Sequence, residues 1–325
     1  MKRFRSEIEQ KADIKIVNLI DDRNSVRARI IPEIGNNLVS LTIGNGNELI
    51  YIPDQIGNLK KLSRQFYGNP ILFPFPGRIP EGKFTFQNQN FQLPINFSDG
   101  TTIHGFVYDK KWEIEELSSP SDKEAFLKSA YRSDAEVEKV FPFPFRIEFT
   151  YMLRDSELEM VFTAENIGEN PFPFGYGIHP YFLLPGTRAD WVLYFPASEI
   201  YELVNILPTG KTKEIPDEFD FREEKSLAGI YMDDLFGNIQ KNKDGVISCW
   251  LRNKATNLKL TVTSDQNFDY YVLYAPKEHA FICMEPYTCI ANAYNLANSG
   301  IETGLRILQP NETFKAKIYL RWEAG

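Results

Sequence analysis

Residues 145–162 read Phe-Arg-Ile-Glu-Phe-Thr-Tyr-Met-Leu-Arg-Asp-Ser-Glu-Leu-Glu-Met-Val-Phe, and their period decides the fold. From Phe145 to Leu153 every second side chain is large and apolar. After the turn-like Arg154-Asp-Ser-Glu157 the alternation resumes at Leu158, Met160 and Phe162. Successive strand side chains point to opposite faces, so a period of two predicts a β-hairpin with one buried face. Working outward, Phe84, Phe86, Phe91 and Leu93 flank Asn88-Gln-Asn90 in a second hairpin. Leu38 to Ile43 and Leu49 to Ile52 flank Gly44-Asn-Gly-Asn47 in a third, where Gly and Asn supply the positive φ of a tight turn. Near the carboxyl end Phe314, Ala316, Ile318, Leu320 and Trp322 alternate with Lys315, Lys317, Tyr319 and Arg321.

Helical windows are few; residues 55–66 are the best, and Gly57 weakens them. Prolines cluster at 70–80, 142–144 and 171–173, where they mark edges, bulges or loops over strand ends because proline cannot donate to a central ladder. Strand signals run from about residue 26 to residue 322 without a linker or change of composition. These patterns predict an all-β chain, a sandwich or barrel forming one large domain over residues 1–325.

Composition fits that class. The chain has 325 residues, 43% hydrophobic, with 25 Phe and 16 Tyr, enough for a large core. A net charge of −8 disfavours nucleic acid and anionic membrane partners. No window approaches 18 uninterrupted apolar residues, and no apolar run follows the basic amino terminus, so neither a spanning helix nor a secretory signal is read. Cys249, Cys283 and Cys289 have neither disulfide-framework nor zinc-site spacing; reduced thiols in the cytoplasm are the expectation.

Three histidines are present, and two keep unusual company. His104 precedes Gly105, which permits close backbone approach, and His179 lies in the Gly- and Pro-rich run Phe174 to Phe182. Each imidazole can serve simply to satisfy a backbone carbonyl. Glu285 follows four apolar residues and precedes Pro286; a carboxylate there either caps backbone N–H groups or is used.

Taken together the motifs carry a resemblance. Asn69-Pro-x-Leu-Phe-Pro-Phe-Pro-x-Arg-Ile79 is followed by Gly82-Lys-Phe-Thr-Phe86 and Ile103-His-Gly-Phe106. Then come Glu165-Asn-Ile-Gly-Glu-Asn-Pro-Phe-Pro-Phe174, His179-Pro-Tyr-Phe182, Glu285-Pro-Tyr-Thr288 and Asn292-Ala-Tyr-Asn295. In this order and spacing they resemble the aldose 1-epimerase, or galactose mutarotase-like, family from about residue 30 onward. The resemblance implies that family's twisted antiparallel β-supersandwich. It also implies Glu285 as catalytic base, His179 as general acid, His104 near the sugar ring oxygen, Arg78 on sugar hydroxyls, and Asp233 or Asp234 as the sugar-binding aspartate, with Asp233 preferred. Three departures stand out: Gly77 replaces a common Asn before Arg78-Ile79, Leu183-Leu184 follows the His-Pro-Tyr-Phe motif, and the aspartate segment lacks an Asp-His-Asn form. They leave the proposed pair intact and the identity of the sugar open.

Anomer interconversion moves one proton off the C1 hydroxyl and another onto the ring oxygen, opening the ring. A carboxylate on one side and an imidazolium on the other suffice, without metal, nucleotide or other cofactor; the partner is a small-molecule sugar, and the chain acts as a monomer or homodimer. This chemistry calls for an ionised Glu285 and for a His179 whose pKa sits at or above neutrality. The rivals are a His104–His179–Glu285 iron site, a paired-carboxylate glycosidase, a non-catalytic sugar-binding sandwich, and a mutarotase for hexose 6-phosphates using Lys60, Lys61, Arg64 and Lys83.

Overall fold

The structure, a computed structural model, describes residues 2–44, 46–61 and 67–323, the side chains of 57, 60 and 61 apart. The hairpin that opened the sequence argument forms as read: Phe145–Arg154 pairs antiparallel with Glu157–Asn166 over the full length, Phe145 opposite Asn166 and Arg154 opposite Glu157. It sits in a nine-stranded antiparallel sheet whose spatial order is 113–121, 124–132, 145–154, 157–166, 313–323, 259–264, 247–253, 191–194 and 225–226. The carboxyl-terminal strand Thr313–Glu323 therefore lies at the centre, against Glu157–Asn166. A second sheet carries, in order, 207–214, 197–204, 232–239, 270–275, 281–287, 177–178 and 71–72, with 181–183 also on 281–287. A five-stranded sheet built from residues 4–48 completes the main layers.

The two large sheets share one core. Phe149, Tyr151, Met160, Phe162 and Ile318 of the first join Phe236, Tyr271, Leu273, Ile282 and Met284 of the second in a single buried cluster. The high aromatic content is spent here. Phe73 alone meets Phe145, Phe162, Phe172 and Phe174 at ring-centroid distances of 5.0–6.4 Å, and each such pair adds about 0.5–1.5 kcal/mol beyond its buried area.

Among the described residues the only α-helices are Ala135–Val140 and Ala293–Asn298, six residues each and absent from the sequence reading. The first is capped by Asp134, whose side chain accepts from the Val137 N–H. The expected helix at 55–66 is a 3₁₀ segment over Ile56–Lys61, and residues 62–66 lie outside the described residues. The third hairpin is shorter than expected: its ladder places only Thr42 opposite Glu48 and Ile43 opposite Asn47, and Asn45 of its turn lies outside the described residues. Leu49 N–H still bonds Leu41 O at 3.0 Å, and the run then joins the His179 segment, with Tyr51 N–H on Tyr181 O at 2.8 Å and Leu183 N–H on Leu49 O at 2.9 Å. No helix among the described residues is long and apolar enough to cross a membrane.

Candidate active site

Strand Phe281–Tyr287 sets the site by alternation. Ile282 and Met284 face the shared core, so Glu285 and Tyr287 face away from it, together with Val272 opposite Glu285 on the neighbouring strand. Tyr274 continues this face, and Asp233, opposite Tyr274, extends it onto Met232–Ile239. On the other side the Gly177–Leu183 run supplies His179 and Tyr181, its backbone anchored by His179 N–H on Pro70 O. Arg78 and His104 arrive on the short pair Arg78–Pro80 and Thr101–Ile103, where Arg78 lies opposite Ile103. All six residues singled out in the sequence line one open cleft of ≈ 760 Å³, its mouth and the solvent there included.

Backbone conformation makes this convergence possible. His104 itself has a φ of 65°, and Gly105 follows at 70°. A Cβ on Gly105 would stand 2.1 Å from the Phe73 carbonyl oxygen, so only glycine lets the His104 loop reach the cleft. Gly77 has a φ of 66°, and a Cβ there would stand 2.6 Å from the Ala291 Cβ, so this chain takes glycine before the Arg-Ile motif.

At the floor, His179 Nε2 and Glu285 Oε1 stand 3.3 Å apart. They are neighbours, rather than groups on opposite sides of a sugar as the sequence reading had it. Tyr287 donates its hydroxyl to the other carboxylate oxygen, Oε2, at 2.6 Å. Oε1 has no hydrogen bond, because the contact with His179 lacks the required angles. Tyr181 stacks on the His179 ring with centroids 4.5 Å apart and planes 5° from parallel, and its hydroxyl lies 3.4 Å from Nε2.

Glu285 is 1% and His179 6% exposed. Burial penalises a charge on each. It pushes the Glu285 carboxyl well above the usual carboxylate range, against the opposing Tyr287 hydrogen bond. It pulls His179 down to about 3. The expectation of a histidine titrating at or above neutrality is corrected on this point: burial disfavours the charged imidazole, and Arg78 nearby also opposes its positive charge. The neutral pair and the ion pair contain the same number of protons, so they are two arrangements of one protonation state of the pair.

His104 packs edge-on against His179, with centroids 5.3 Å apart and planes at 88°. Its Nδ1 accepts from the Gly77 N–H at 3.2 Å, and burial holds its pKa well below the ordinary value. The ring is thus neutral with its proton on Nε2, a fixed donor. Arg78 Nε is held by Asp99 Oδ2 at 3.0 Å, and the guanidinium lies over the Phe97 ring at 5.4 Å. Asp233 and Asp234 both border the cleft, and burial raises the carboxyl pKa of each. Alternation separates them: Asp233 shares the face of Glu285, whereas Asp234 sits opposite Leu273 on the other face.

For a metal, the donors of His179, Cys283 and Glu285 lie within 4.8 Å of one another, while His104, expected in the iron-site rival, is outside this set. Burial keeps the Cys283 thiol protonated, which opposes ligation. Sequence reasoning missed Tyr287 and Tyr181. Tyr287 stands two residues after Glu285 on the same face of strand Phe281–Tyr287, so the period-two rule itself pointed to it; Tyr181 opens the strand that follows His179, which lies between two short strands where alternation gives no signal.

The sequence profile of the aldose 1-epimerase family matches residues 17–321. The uncharacterized protein YihR of Escherichia coli strain K12 is 30% identical over 238 residues, covering 71% of this chain and 72% of its own. Among solved structures, a galactose mutarotase-like protein from Clostridium acetobutylicum superposes with a TM-score of 0.91 at 22% identity, each chain covered completely. A galactose 1-epimerase from Lactobacillus acidophilus superposes at 0.80 with 20% identity, again over both full lengths. With the profile spanning nearly the whole chain and the sandwich shared with these proteins, the chain belongs to the aldose 1-epimerase family of isomerases.

Proposed function

We propose that the protein interconverts the α and β anomers of an unphosphorylated aldohexose. The observation that carries this reading is the buried Glu285–His179 contact of 3.3 Å at the floor of a sugar-sized cleft, with Glu285 Oε1 otherwise without a partner. The C1 hydroxyl and the ring oxygen share one carbon, so a proton acceptor and a proton donor standing side by side reach both. Glu285 takes the hydroxyl proton through Oε1, His179 delivers its proton to the ring oxygen, and the C1–O bond breaks to leave the aldehyde. Rotation about C1–C2 presents the other carbonyl face. Return of the two protons closes the ring as the opposite anomer and restores the pair. The active proton arrangement is ionised Glu285 with protonated His179; Tyr287 and the field of Arg78 favour the carboxylate in that form. Each transfer contributes about 10²–10⁴-fold. The His104 Nε2–H, Arg78 and Asp233 hold hydroxyls.

The 6-phosphate reading finds no support in the cleft. Of the cations considered, Lys83 lines a different groove and pairs with Glu81 at 2.6 Å. The Lys60 and Lys61 side chains and Arg64 lie outside the described residues. Arg78 is the sole Lys or Arg among the described lining residues, beside the carboxyl groups of Asp233, Asp234 and Glu285. The test is an NMR time course on fresh α-anomers, free and 6-phosphorylated. Acceleration on free aldohexoses is expected, and buffer-rate anomerisation of every sugar overturns the proposal. Sugar binding without acceleration would leave a non-catalytic lectin-like sandwich.

A further inference from the structure

Arg78 reaches the cleft from a pair of three-residue strands, and its long side chain takes its pose from the loop of residues 93–100. That loop is tied down by Asn96. Its side chain accepts from the Ile103 N–H at 2.7 Å and donates to the Ile103 carbonyl at 2.9 Å, on the residue opposite Arg78. From this anchor the run Phe97-Ser-Asp-Gly100 brings two groups onto the guanidinium. The Phe97 ring centroid lies 5.4 Å from Arg78 Cζ, and Asp99 Oδ2 accepts from Nε at 3.0 Å. The turn itself uses only the other oxygen: Asp99 Oδ1 accepts from the Thr101 N–H at 3.0 Å and from the Thr101 hydroxyl at 2.6 Å. A side chain with one acceptor oxygen, such as asparagine or serine, closes such a turn as well. The second oxygen serves Arg78. Burial works against the Asp99 charge, yet the Thr101 bonds and then Arg78 outweigh it and hold the carboxyl below the usual carboxylate range.

A guanidinium carries its donors in one rigid plane. Asp99 takes the Nε–H, and no hydrogen bond among the described residues engages either Nη. With Nε pinned and one face on Phe97, the plane is fixed and both Nη groups stay available to a ligand. We propose that Asp99 is a positioning residue, which orients Arg78 so that its two Nη groups meet the hydroxyls of the sugar. This rests on the mutarotase reading above. Arg78 and Phe97 line the cleft and Asp99 does not, so Asp99 acts through Arg78 rather than on the sugar. A long side chain already held in its bound pose has less rotamer freedom to lose when the ligand arrives. Loss of Asp99 therefore falls on KM more than on kcat, because Glu285 and His179 still move the protons.

The test is a double-mutant cycle of Asp99→Ala and Arg78→Met, followed by NMR on fresh α-glucose and α-galactose, with the thermal midpoint of each protein. Asp99→Ala raises KM about tenfold and leaves kcat within about threefold. In the Arg78→Met background the same substitution changes kcat/KM by less than about twofold, since no guanidinium remains to be oriented. An Asp99 that merely held the loop together would cost both backgrounds alike. An equal loss with and without Arg78 therefore overturns the proposal, as does a kcat/KM within about twofold of wild type in Asp99→Ala. Asp99→Asn keeps one oxygen for the turn; it replaces Asp99→Ala if that variant does not fold, and is judged by the same two comparisons. Turnover of no aldose overturns the mutarotase reading instead. Calorimetric Kd values for the two sugars in the same four proteins then judge Asp99 by the same cycle.

Discussion

Tyr287→Phe removes one hydroxyl from the floor of the cleft and keeps the ring that packs there. That hydroxyl donates to Glu285 Oε2 across 2.6 Å inside the protein, and burial beside the carboxylate keeps the phenol protonated, so it remains a donor. A hydrogen bond to a charged group is worth about 1.5–3 kcal/mol, which corresponds to roughly 1–2 pH units on the group it stabilises. The sign follows from which form is bound. Tyr287 stabilises the ionised carboxylate, so its loss raises Glu285 further and shifts the shared proton from His179 onto Glu285. The population with an ionised base and a protonated acid falls by the same factor, and kcat drops about 10–100-fold at neutral pH. KM changes little, because the hydroxyl is directed at Glu285 rather than at the sugar. The last proton then leaves the pair at higher pH, moving the alkaline limb of the rate profile upward by about 1–2 units. Polarimetry of a fresh α-aldose across pH reads both effects. A Tyr287→Phe protein with wild-type kcat and an unmoved alkaline limb refutes the reasoning.

Three further outcomes follow from the same geometry. Wild-type kcat/KM is flat through pH 6–7, where an exposed imidazole titrates. Burial holds His179 down at about 3, so its titration falls far below this window; an inflection near 6.5 contradicts this. Asp233→Asn raises KM by about tenfold or more through loss of a charged hydrogen bond, whereas Asp234→Asn changes it less than about threefold; steady-state kinetics on both variants decides between the two. Gly105→Ala destabilises the fold by about 3 kcal/mol or more in chemical denaturation, because its Cβ would meet the Phe73 carbonyl at 2.1 Å with φ at +70°.

What the sequence made legible, and what it did not, divides along physical lines. Phe145 to Phe162 alternates because the hairpin packs on one face only, and that pattern survives in a single chain. Leu49–Ile52 carries the same alternation, yet after one bond from Leu49 to Leu41 it pairs with Tyr181–Leu183; local pattern says that a segment is extended, not which neighbour it finds. The short helix Ala293–Asn298 buries only Ala293 and Tyr294, too few positions to set a helical period. The six site residues were found through ordered motifs, and they meet in one cleft. The protonation of His179 was misjudged because its desolvation depends on side chains such as Tyr181 and Tyr274 that converge only after folding.

The central claim is that Glu285 and His179 together move the two protons of ring opening. It is tested most directly by saturation-transfer NMR of anomer exchange in wild type, Glu285→Gln and His179→Gln, each first shown to be folded by its thermal midpoint. The account predicts rapid exchange in wild type and a fall of at least about 10²-fold in each variant. Exchange at the wild-type rate in either folded variant would contradict it.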